Sequence, residues 1–498
     1  MTEHGEGGDL EDHRLTAARL AKVEAMRSEG EDPYPVRFDP TATAAEIGEQ
    51  HGGLTEGEES GAGETVAGRL VGLRRLGRLA FGVLQDATGR IQLFAEADRL
   101  QDRFGAFAAL DLGDWVGATG EVVRTRRGEL SIRVEEFSLL AKALRPPPEK
   151  WHGLHDVEKR YRQRYLDLAV NEDSRRVMRA RSATVAALRG AFDRRGFIEV
   201  ETPVLQPIPG GGMARPFQTH HNALGVDMFL RIAVELYLKR LVVGGVERVF
   251  EVAKTFRNEG VSPRHNPEFT MLEAYQAYAD YLDVMDLLEG VIGEVAEQVA
   301  GTTDLVYQGR PMPLGGPWPR IDYVAACSEK TGTTWDLAMP IDDARAAADR
   351  LGMEVDPAWG VGRIVSEVFD EHVEPGLWEP TIVMDFPLEI SPLARRHRHD
   401  PSKVERFEVI AAGRELANAF SELNDPVDQR LRFEAQAAAR AAGDHEAHPM
   451  DEDFLRALEH GMPPTGGLGI GVDRLVMLLT DQASIREVIL FPAMRPEE

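Results

Sequence analysis

RVFEVAKTFRNEGVSPRHNPEFTMLEAYQAY, residues 248–278, is the stretch from which the fold can be inferred. Two runs with alternating apolar residues, Val249–Phe256 and Phe269–Tyr275, flank the polar loop Arg257–Pro267, in which glycine and proline favour turns. The pattern predicts a β-hairpin. Its loop concentrates cationic side chains where two strands converge, which suits the binding of a polyphosphate. A charged hairpin tip exposed to solvent would have the same pattern, and this alternative stays open.

The second strand of the hairpin places alternate side chains on one face. Phe269, Met271, Glu273 and Tyr275 share that face. An aromatic ring followed by a carboxylate and a phenol is unusual for a hydrophobic core and natural for the floor of a pocket. The hairpin therefore predicts a binding pocket beside the polar loop.

The composition is that of a globular protein with two or three domains. The chain has 498 residues, 43% of them hydrophobic, and a formal net charge of −26. The charge is uneven, because residues 1–60 hold 5 Lys/Arg against 15 Asp/Glu whereas residues 61–150 hold 14 against 12. Nucleic-acid binding depends on local patches rather than on the total charge, so an RNA-binding module within residues 61–150 is compatible with an acidic protein.

The sequence indicates a cytoplasmic protein. Its only cysteine, Cys327, excludes an intramolecular disulfide and a cysteine-rich zinc site, and it suits a reducing compartment. The acidic N-terminus contains no apolar signal segment, and no run of about 18 apolar residues occurs. We expect no membrane partner.

The N-terminal third is predicted to contain an extension and a barrel. Residues 1–63 form an acidic extension with one helix, Leu15–Ser28, followed by a loop. Five short β-type runs separated by turn signals then predict an OB-fold barrel over residues 64–144.

The open face of this barrel carries candidate nucleic-acid contacts. Phe81, Gln92 and Phe94 are predicted to stand there beside several arginines, because stacking rings and cations hold unpaired bases. The alternative is that the two phenylalanines belong to the barrel core.

A proline-rich linker is predicted to separate the barrel from the rest of the chain. The linker covers residues 145–160, and residues 161–498 form the second domain. Residues 302–386 are predicted to be a mostly helical insertion in it.

Carboxylates gather in the stretch ERFEVIAAGRELANAFSELND, residues 405–425. A hairpin tip near Ala412 would bring Glu408 and Glu415 close together on adjacent strands. Asn418, Phe420 and Glu422 alternate on one face, and Glu415 has the opposite parity. All four can face one site only if the strand contains a bulge or twist.

The glycine pattern of GGLGIGVDRLVMLL, residues 466–479, is similar to a dinucleotide-binding fingerprint, but no βαβ unit surrounds it and we reject that interpretation. The alternative is a glycine-rich strand that leads into a helix with Arg474 in its first turn.

Together these stretches resemble a known family. FRNEG (residues 256–260) and RHNPEFTMLE (residues 264–273) are similar to motif 2 of the class II aminoacyl-tRNA synthetases, in the form found in lysyl-tRNA synthetases. The helix predicted at Ser174–Arg195 with the following FIEVETPVL resembles motif 1, and residues 466–479 resemble motif 3. The similarity extends from about Leu15 to Pro496.

The resemblance implies an α+β protein, in which an N-terminal OB-fold β-barrel binds the tRNA anticodon. A class II catalytic domain follows, with an antiparallel sheet flanked by helices, and motif 1 forms the interface of a homodimer. It also implies activation of L-lysine with ATP and Mg²⁺, with two or three ions per site, and transfer of lysyl to tRNA(Lys).

The family's site residues carry over onto matching positions. The resemblance implies catalytic roles for Arg257 and Arg474 and metal ligands at Glu408 and Glu415. It implies ATP contacts at Arg257, Glu259, Arg264, His265, Asn266, Phe269, Glu408 and Arg474. It implies lysine contacts at Gly211, Glu235, Arg257, Glu273, Tyr275, Asn418, Phe420 and Glu422. Phe81, Gln92 and Phe94 would contact the anticodon.

The predicted amino-acid pocket has a charge that discriminates among related enzymes. Glu235, Glu273 and Glu422 would repel aspartate and attract a cationic side chain, which favours lysine over the aspartyl and asparaginyl alternatives. The barrel disfavours a truncated paralogue that modifies proteins, and the arginine clamp disfavours a non-catalytic RNA-binding scaffold. One position departs from the family, since Gly212 stands where lysyl enzymes are expected to have alanine.

Overall fold

The computed structural model describes residues 5–147, 154, 156–441 and 447–496, with side chains from Arg14 onward. The chain divides into two compact units, Met1–His155 and Asp156–Glu498. Part of the predicted linker 145–160 lies outside the described residues. In the described part of the chain, no helix has the length and apolar character needed to cross a membrane.

The N-terminal unit is a closed five-stranded barrel preceded by two helices. Its strands follow the order β1-β2-β3-β5-β4 around the barrel. The elements are α1 (Gly5–Ser28), α2 (Ala44–His51), β1 (Glu59–Leu76), β2 (Leu79–Gln85), β3 (Arg90–Glu96), α3 (Ala97–Leu100), α4 (Phe104–Ala108), β4 (Trp115–Arg124) and β5 (Leu130–Ala141). The predicted OB-fold barrel is confirmed.

The extension before the barrel differs from its prediction in two respects. A second helix, α2, is present, and it begins with a capping box in which Thr43 and Glu46 satisfy each other's backbone N–H groups. Strand β1 begins at Glu59, within the segment predicted to be a loop. The glycine and glutamate content of this segment is typical of a loop. The segment is nevertheless a strand, because its backbone pairs with that of β4.

The C-terminal unit is built on an eight-stranded sheet in the order β14-β15-β16-β17-β18-β11-β10-β6. Its helices are α5 (Val157–Arg162), α6 (Arg164–Val170), α7 (Glu172–Asp193), α8 (Glu235–Val243), α9 (Tyr281–Ala300), α10 (Tyr323–Thr331), α11 (Ile341–Arg350), α12 (Val361–Val368), α13 (Pro426–Ala441), α14 (Glu452–Glu459), α15 (Val472–Thr480) and α16 (Ile485–Val488). Its strands are β6 (Ile198–Glu199), β7 (Leu205–Gln206), β8 (Gln218–His221), β9 (Val226–Leu230), β10 (Arg248–Phe256), β11 (Glu268–Ala277), β12 (Asp304–Tyr307), β13 (Arg310–Pro313), β14 (Arg320–Asp322), β15 (Thr381–Met384), β16 (Arg406–Ile410), β17 (Glu415–Ser421) and β18 (Thr465–Gly471).

The centre of this sheet is antiparallel, and helices α7, α9 and α15 contribute to the main core against it. Helix α9 shows why such helices form here: Asp280 and Asp283 make a capping box at its start, and Gly301 ends it with a left-handed φ of +74°. Between these ends, apolar residues recur at helical spacing and are buried in the core. The predicted architecture of an antiparallel sheet flanked by helices is confirmed.

Residues 302–386 are less helical than predicted. The region contains helices α10, α11 and α12, but it begins with the β12–β13 hairpin. Strands β14 and β15 join the central sheet beside β16. Sequence periodicity missed these strands because each has only three or four residues.

The predicted hairpin at residues 248–278 is present, and Phe256 pairs with Glu268 at its loop end. Arg181 of α7 ties this hairpin to helix α15. Its guanidinium bonds to the Asp473 carboxylate at 2.5 Å and to the Thr270 hydroxyl at 3.0 Å, and Asp473 accepts the Thr270 backbone N–H at 2.6 Å. The three stretches that resemble class II motifs are therefore joined by one partly buried polar network.

Candidate active site

One cavity of about 420 Å³ lies on the central sheet, beside the loop that follows β10. Every residue predicted to contact ATP, lysine or metal lines it. These residues are Gly211, Glu235, Arg257, Glu259, Arg264, His265, Asn266, Phe269, Glu273, Tyr275, Glu408, Glu415, Asn418, Phe420, Glu422 and Arg474. The fold thus brings together side chains that are up to about 260 positions apart in sequence.

The parity conflict at Glu415 is resolved by a bulge. In the β16–β17 ladder, Val409 faces Ala417 but Ile410 faces Glu415, so Leu416 is the extra residue. The bulge turns Glu415 to the same side as Asn418 and Phe420, and all three line the cavity.

Arg257 has the properties of an anion clamp. Its guanidinium lies over the Phe269 ring, 5.1 Å from the centroid, and its Nε is buried without a hydrogen-bond partner. Within the described part of the chain, no carboxylate pairs with Arg257 or with Arg264. An arginine held in a cavity by stacking, with its donors free, is prepared to receive phosphate or carboxylate oxygens.

The loop carrying these cations is held by its own polar side chains. The Ser262 hydroxyl accepts the backbone N–H groups of Arg264 and His265 at 3.1 and 3.0 Å. The Asn266 amide donates to the Glu268 carbonyl at 2.6 Å and accepts the Ala493 N–H at 3.0 Å. These two bonds fix the Asn266 side chain at the cavity wall, and one amide hydrogen and one lone pair of the carbonyl oxygen remain for a ligand.

Arg474 and His265 both line the positive end of the cavity, and Arg474 supplies the charge. Burial and the neighbouring Arg474 lower the pKa of His265, which leaves its imidazole neutral at physiological pH. Arg474 stands in the first turn of α15, as predicted, and its guanidinium donates to the Glu415 backbone carbonyl. Its distance to the Glu415 carboxylate is 3.4 Å.

Two carboxylates face this positive end. Glu408 accepts a hydrogen bond of 2.5 Å from Arg406, whose guanidinium also donates to Asn418 at 3.0 Å. Burial raises the pKa of Glu408 to about 8; Arg406 opposes that rise, and the nearby Glu415 and Glu374 add to it. Arg406 lines the cavity and was not predicted. Its position two residues before Glu408 on one strand face was the available signal.

The opposite end of the cavity is acidic and buried. Glu273 accepts hydrogen bonds from the Tyr275 hydroxyl at 3.1 Å and the Val234 N–H at 3.2 Å. Burial and the adjacent Glu235 carboxylate raise the pKa of Glu273 to about 7. Glu422 is 1% exposed. One of its carboxylate oxygens forms a close ion pair with the Lys239 ammonium.

Lys239 is the second residue that sequence reasoning missed. It is fully buried on α8, one turn after Glu235, and its ammonium lies 2.5 Å from the Glu235 carboxylate and 5.3 Å from the Phe420 ring centroid. Burial disfavours its charge, but Glu235 and Glu422 outweigh burial and raise its pKa. The i, i+4 spacing of Glu235 and Lys239 was visible, but such a pair usually lies on a solvent-exposed helix face.

Two glycines shape the acidic end. Gly211 has a left-handed φ of +83°, and a Cβ there would lie 3.0 Å from the Glu235 Cβ. At Gly467, on strand β18, a Cβ would overlap the Glu422 carboxylate and lie 2.6 Å from the Tyr275 ring. Gly467 therefore allows close packing at the acidic end of the cavity, and its strand β18 pairs antiparallel with both neighbours.

The outer face of the barrel in the N-terminal unit carries the other predicted residues. Phe81 and Phe94 stack with centroids 5.2 Å apart and an interplanar angle of 11°. They are half-buried and lie outside the barrel core, which excludes the core alternative. Cross-strand pairing places Arg74 beside Phe81 and Arg133 beside Phe94. Gln92 donates to the Ser131 hydroxyl at 2.8 Å, next to this row.

Comparison with known proteins agrees with both units. Residues 156–495 match the family described as tRNA synthetases class II (D, K and N), and residues 64–140 match the OB-fold nucleic acid binding domain. The lysine–tRNA ligase of Moorella thermoacetica is 54% identical over 97% of this chain and 98% of its own length. Those of Carboxydothermus hydrogenoformans and Trichormus variabilis are each 52% identical over 98% of this chain, covering 99% and 89% of their own lengths. The chain belongs to the class II tRNA synthetases of the D, K and N group.

Proposed function

We propose that the chain is an ATP-dependent lysine–tRNA ligase, which forms lysyl-adenylate and pyrophosphate and then transfers the lysyl group to the 3′ end of tRNA(Lys). The observation that carries the choice of lysine is the excess of carboxylates at the acidic end of the cavity. Glu235, Glu273 and Glu422 are all buried there, and Lys239 pairs with two of them, Glu235 and Glu422. Three buried carboxylates beside one cation leave acceptors for a further cationic ligand.

The arrangement of the three glutamates fits the two ammonium groups of lysine. Glu422 would accept the ε-ammonium, and Glu235, at the start of α8, would accept the α-ammonium. Tyr275 and Phe420 would line the aliphatic stem. An aspartate or asparagine side chain would meet carboxylates here instead of donors, so the same pocket disfavours the substrates of the other members of the group.

The first chemical step joins two anions, and the cationic end is suited to it. One oxygen of the lysine carboxylate bonds to the α-phosphorus, and the bond from that phosphorus to the bridging oxygen of pyrophosphate breaks. Arg257 would contact both the carboxylate and the α-phosphate, because a planar guanidinium can bridge two oxyanions. Arg474 would hold the γ-phosphate, with Arg264 and His265 beside the bent triphosphate. The adenine would stack on Phe269 near Glu259.

Glu408 and Glu415 fit a role as Mg²⁺ ligands. The two carboxylates line the cavity where phosphate oxygens would lie, and Mg²⁺ favours such a mixed oxygen shell. The nearby Glu415 helps to raise the pKa of Glu408, and a bound cation would relieve that repulsion. Among the described residues, no group of three or more His, Cys, Asp and Glu side chains is arranged to ligate a metal. Bound Mg²⁺ would neutralise phosphate charge, while Arg406 would keep Glu408 oriented toward it.

The second step consumes the adenylate. A ribose hydroxyl at the 3′ end of the tRNA attacks the lysyl carbonyl, and AMP leaves with the electrons of the mixed-anhydride bond. The row Arg74, Phe81 and Phe94 on the barrel would hold unpaired anticodon bases by stacking and by phosphate contact, whereas the guanidinium of Arg133 already pairs with Glu59 and Glu121.

The barrel assignment has its own test. Phe81→Ala should weaken tRNA binding by about 10- to 100-fold, since stacking of a base on an aromatic ring contributes about 1–3 kcal/mol. Lysine-dependent adenylate formation should not change. Phe104→Ala, which removes a partly buried ring packed against the barrel core, is the control for barrel stability. Unchanged tRNA affinity in Phe81→Ala would contradict the assignment.

We also propose that two copies associate through the edge formed by β6 and the small sheet β7-β9-β8. Strand β6 is the last strand of the central sheet, and Ile198 on it is 58% exposed. Leu205, Leu224 and Val226 add further exposed apolar surface nearby in sequence. Ile198→Asp should shift the chain from dimer to monomer in light scattering, whereas Val306→Asp on β12 should not. A monomeric wild-type chain would refute the dimer.

Pyrophosphate exchange into ATP, measured with Mg²⁺ for each of the twenty amino acids, tests the activity. We expect exchange with lysine alone. Exchange with aspartate or asparagine would overturn the interpretation of the pocket but not the family. Absence of exchange with every amino acid would favour a non-catalytic scaffold.

A further inference from the structure

His448 lies in the segment between α13 and α14 and lines the acidic end of the cavity. It is 1% exposed, and its ring stacks on Phe433 with centroids 4.6 Å apart and planes 7° apart. Its two ring nitrogens face different groups. Nε2 is 3.0 Å from the backbone N of Gly211, and Nδ1 is 2.7 Å from the Pro449 carbonyl oxygen. Neither contact belongs to any role assigned above.

These two partners determine which nitrogen carries the proton. A carbonyl oxygen can only accept, so Nδ1 bears the hydrogen and donates it to Pro449. The Gly211 N–H can only donate, so Nε2 has no hydrogen and accepts. An imidazolium would lose that acceptor. Burial lowers the pKa of His448, the Lys239 and Arg440 charges act in the same direction, and Asp451 and the Pro449 contact oppose them, so the neutral form prevails.

The loop held by His448 is closely fitted on both sides. A Cβ at Gly210 would lie 2.6 Å from Leu236 Cδ1 and 2.9 Å from His448 Nε2. At Gly211 a Cβ would press on Glu235 and Ala233. Because Gly211 touches both the histidine and the base of Glu235, the position of this loop and the shape of the acidic end depend on each other.

We propose that His448 is a positioning residue for amino-acid binding: its neutral imidazole holds the Gly210–Gly212 loop against the acidic end of the cavity through the Gly211 N–H. The inference rests on the proposed function, because lysine is the ligand whose binding it supports. The loop contributes Gly211 to the amino-acid end and approaches the phosphate clamp only through Gly212, where a Cβ would lie 3.9 Å from Arg257 Nη2. Its displacement at Gly211 should therefore affect lysine and leave ATP nearly unchanged.

Two substitutions separate the hydrogen bond from the packing. His448→Phe keeps a flat ring on Phe433 but removes the acceptor, whereas His448→Gln places an amide oxygen near the position of Nε2. We expect His448→Phe to raise the KM for lysine about tenfold, the effect of losing one buried hydrogen bond, with the KM for ATP unchanged. His448→Gln should recover most of the loss. His460→Phe, at an exposed position after α14, is the matched control.

Hydrogen exchange provides a measurement that does not depend on catalysis. In the full-length chain, peptides that contain Gly211 should exchange faster in His448→Phe than in the wild type or in His448→Gln. Equal exchange and equal lysine KM in all variants would overturn the proposal. So would a parallel rise in the KM for ATP, or faster exchange without any change in the KM for lysine. A wild-type chain that does not activate lysine would refute the proposed function instead, and the exchange data would then show whether the loop contact exists.

Discussion

The two ends of the active-site cavity carry opposite and differently balanced charge. At the phosphate end, Arg257 and Arg264 have no carboxylate partner among the described residues, and Arg257 rests on an aromatic ring. At the amino-acid end, carboxylates are buried, and an internal cation, Lys239, partly balances them. The phosphate end therefore offers hydrogen-bond donors to an anion. The amino-acid end offers carboxylate acceptors, and Lys239 offsets part of the cost of ionising them.

The opposite charges of the two ends explain how one cavity can bind two substrates in separate places. A triphosphate is repelled by the acidic end, and the diammonium form of lysine is repelled by the arginines, so each substrate has one favourable place. Arg257 lies at the junction, since it is near the glycine loop and its charge also acts on Glu273. The reacting carboxylate and α-phosphate would meet there. The following predictions test this division.

The largest effect is expected at the junction. Arg257→Ala should lower the rate of lysyl-adenylate formation by roughly 10³-fold, because preorganised donors to a developing anion commonly contribute that much. Pyrophosphate exchange measures it, and light scattering checks that the assembly state is unchanged. Arg179→Ala, on the exposed surface of α7, is the control. A rate near that of the wild type would show that Arg257 does not join the two ends.

A substitution at the acidic end should change the KM for lysine and leave the KM for ATP almost unchanged. Glu422→Gln removes one negative charge at nearly constant volume, and we expect the KM for lysine to rise about 100-fold, as loss of a charged hydrogen bond of about 3 kcal/mol implies. The KM for ATP should stay within about twofold, because electrostatic effects weaken with distance. Glu297→Gln on the exposed side of α9 is the matched control. Equal increases for both substrates would refute the division into two ends.

Lysine binding at the acidic end should depend on pH, and the charge of Lys239 should set the pH at which binding is lost. Burial raises the pKa of Glu422, Lys239 opposes that rise, and Glu235 adds to it. Lys239→Met removes the opposing charge, so the carboxyl should hold its proton to higher pH. Lysine binding, which requires the carboxylate, is present above the pKa and lost as pH falls through it. The rise in lysine KM on acidification should therefore begin at higher pH in Lys239→Met than in the wild type or in Lys330→Met.

A second variant, Lys239→Gln, keeps this prediction testable if Lys239→Met is poorly folded. Lys239→Gln keeps a polar group of similar length and should show the same direction of shift with a smaller loss of stability. An unchanged pH profile in both variants would mean that Lys239 does not control the ionisation of Glu422.

The phosphate end was easier to predict from sequence than the acidic end. Arg257, Arg264 and Phe269 lie in one hairpin, where period-two alternation and turn residues fix their relation. The bulge at Leu416 was also predictable, because Glu415 and Asn418 could not otherwise share a face. A local sequence pattern is enough to predict which side chains share a site when the residues are close in sequence and the strand geometry is regular.

Lys239 and His448 could not be assigned in this way, whereas Arg406 had a local signal in its place two residues before Glu408. The roles of Lys239 and His448 come from contacts with distant segments, such as those between Lys239 and Glu422 and between His448 and Gly211. Each of the two residues alone has an ordinary structural explanation. The short strands β14 and β15 were missed for a related reason: their pairing in the central sheet, rather than any local periodicity, makes them strands.

The smallest effect is expected at Gly212, where the resemblance to lysyl-tRNA synthetases led us to expect alanine. Gly212 does not have a left-handed φ, and a Cβ there would meet only Arg257 Nη2 at 3.9 Å and Ile232 Cδ1 at 4.0 Å, which is ordinary contact. Gly212→Ala should keep the KM for lysine within about twofold and slow hydrogen exchange of the loop, because alanine restricts the unfolded chain and fits the folded one. Gly211→Ala, one residue earlier, has a strained φ and contacts Glu235, so it should raise the lysine KM about tenfold. If both alanines had equal effects, the loop would tolerate side chains generally, and the close fit of Gly211 to the acidic end would not limit lysine binding.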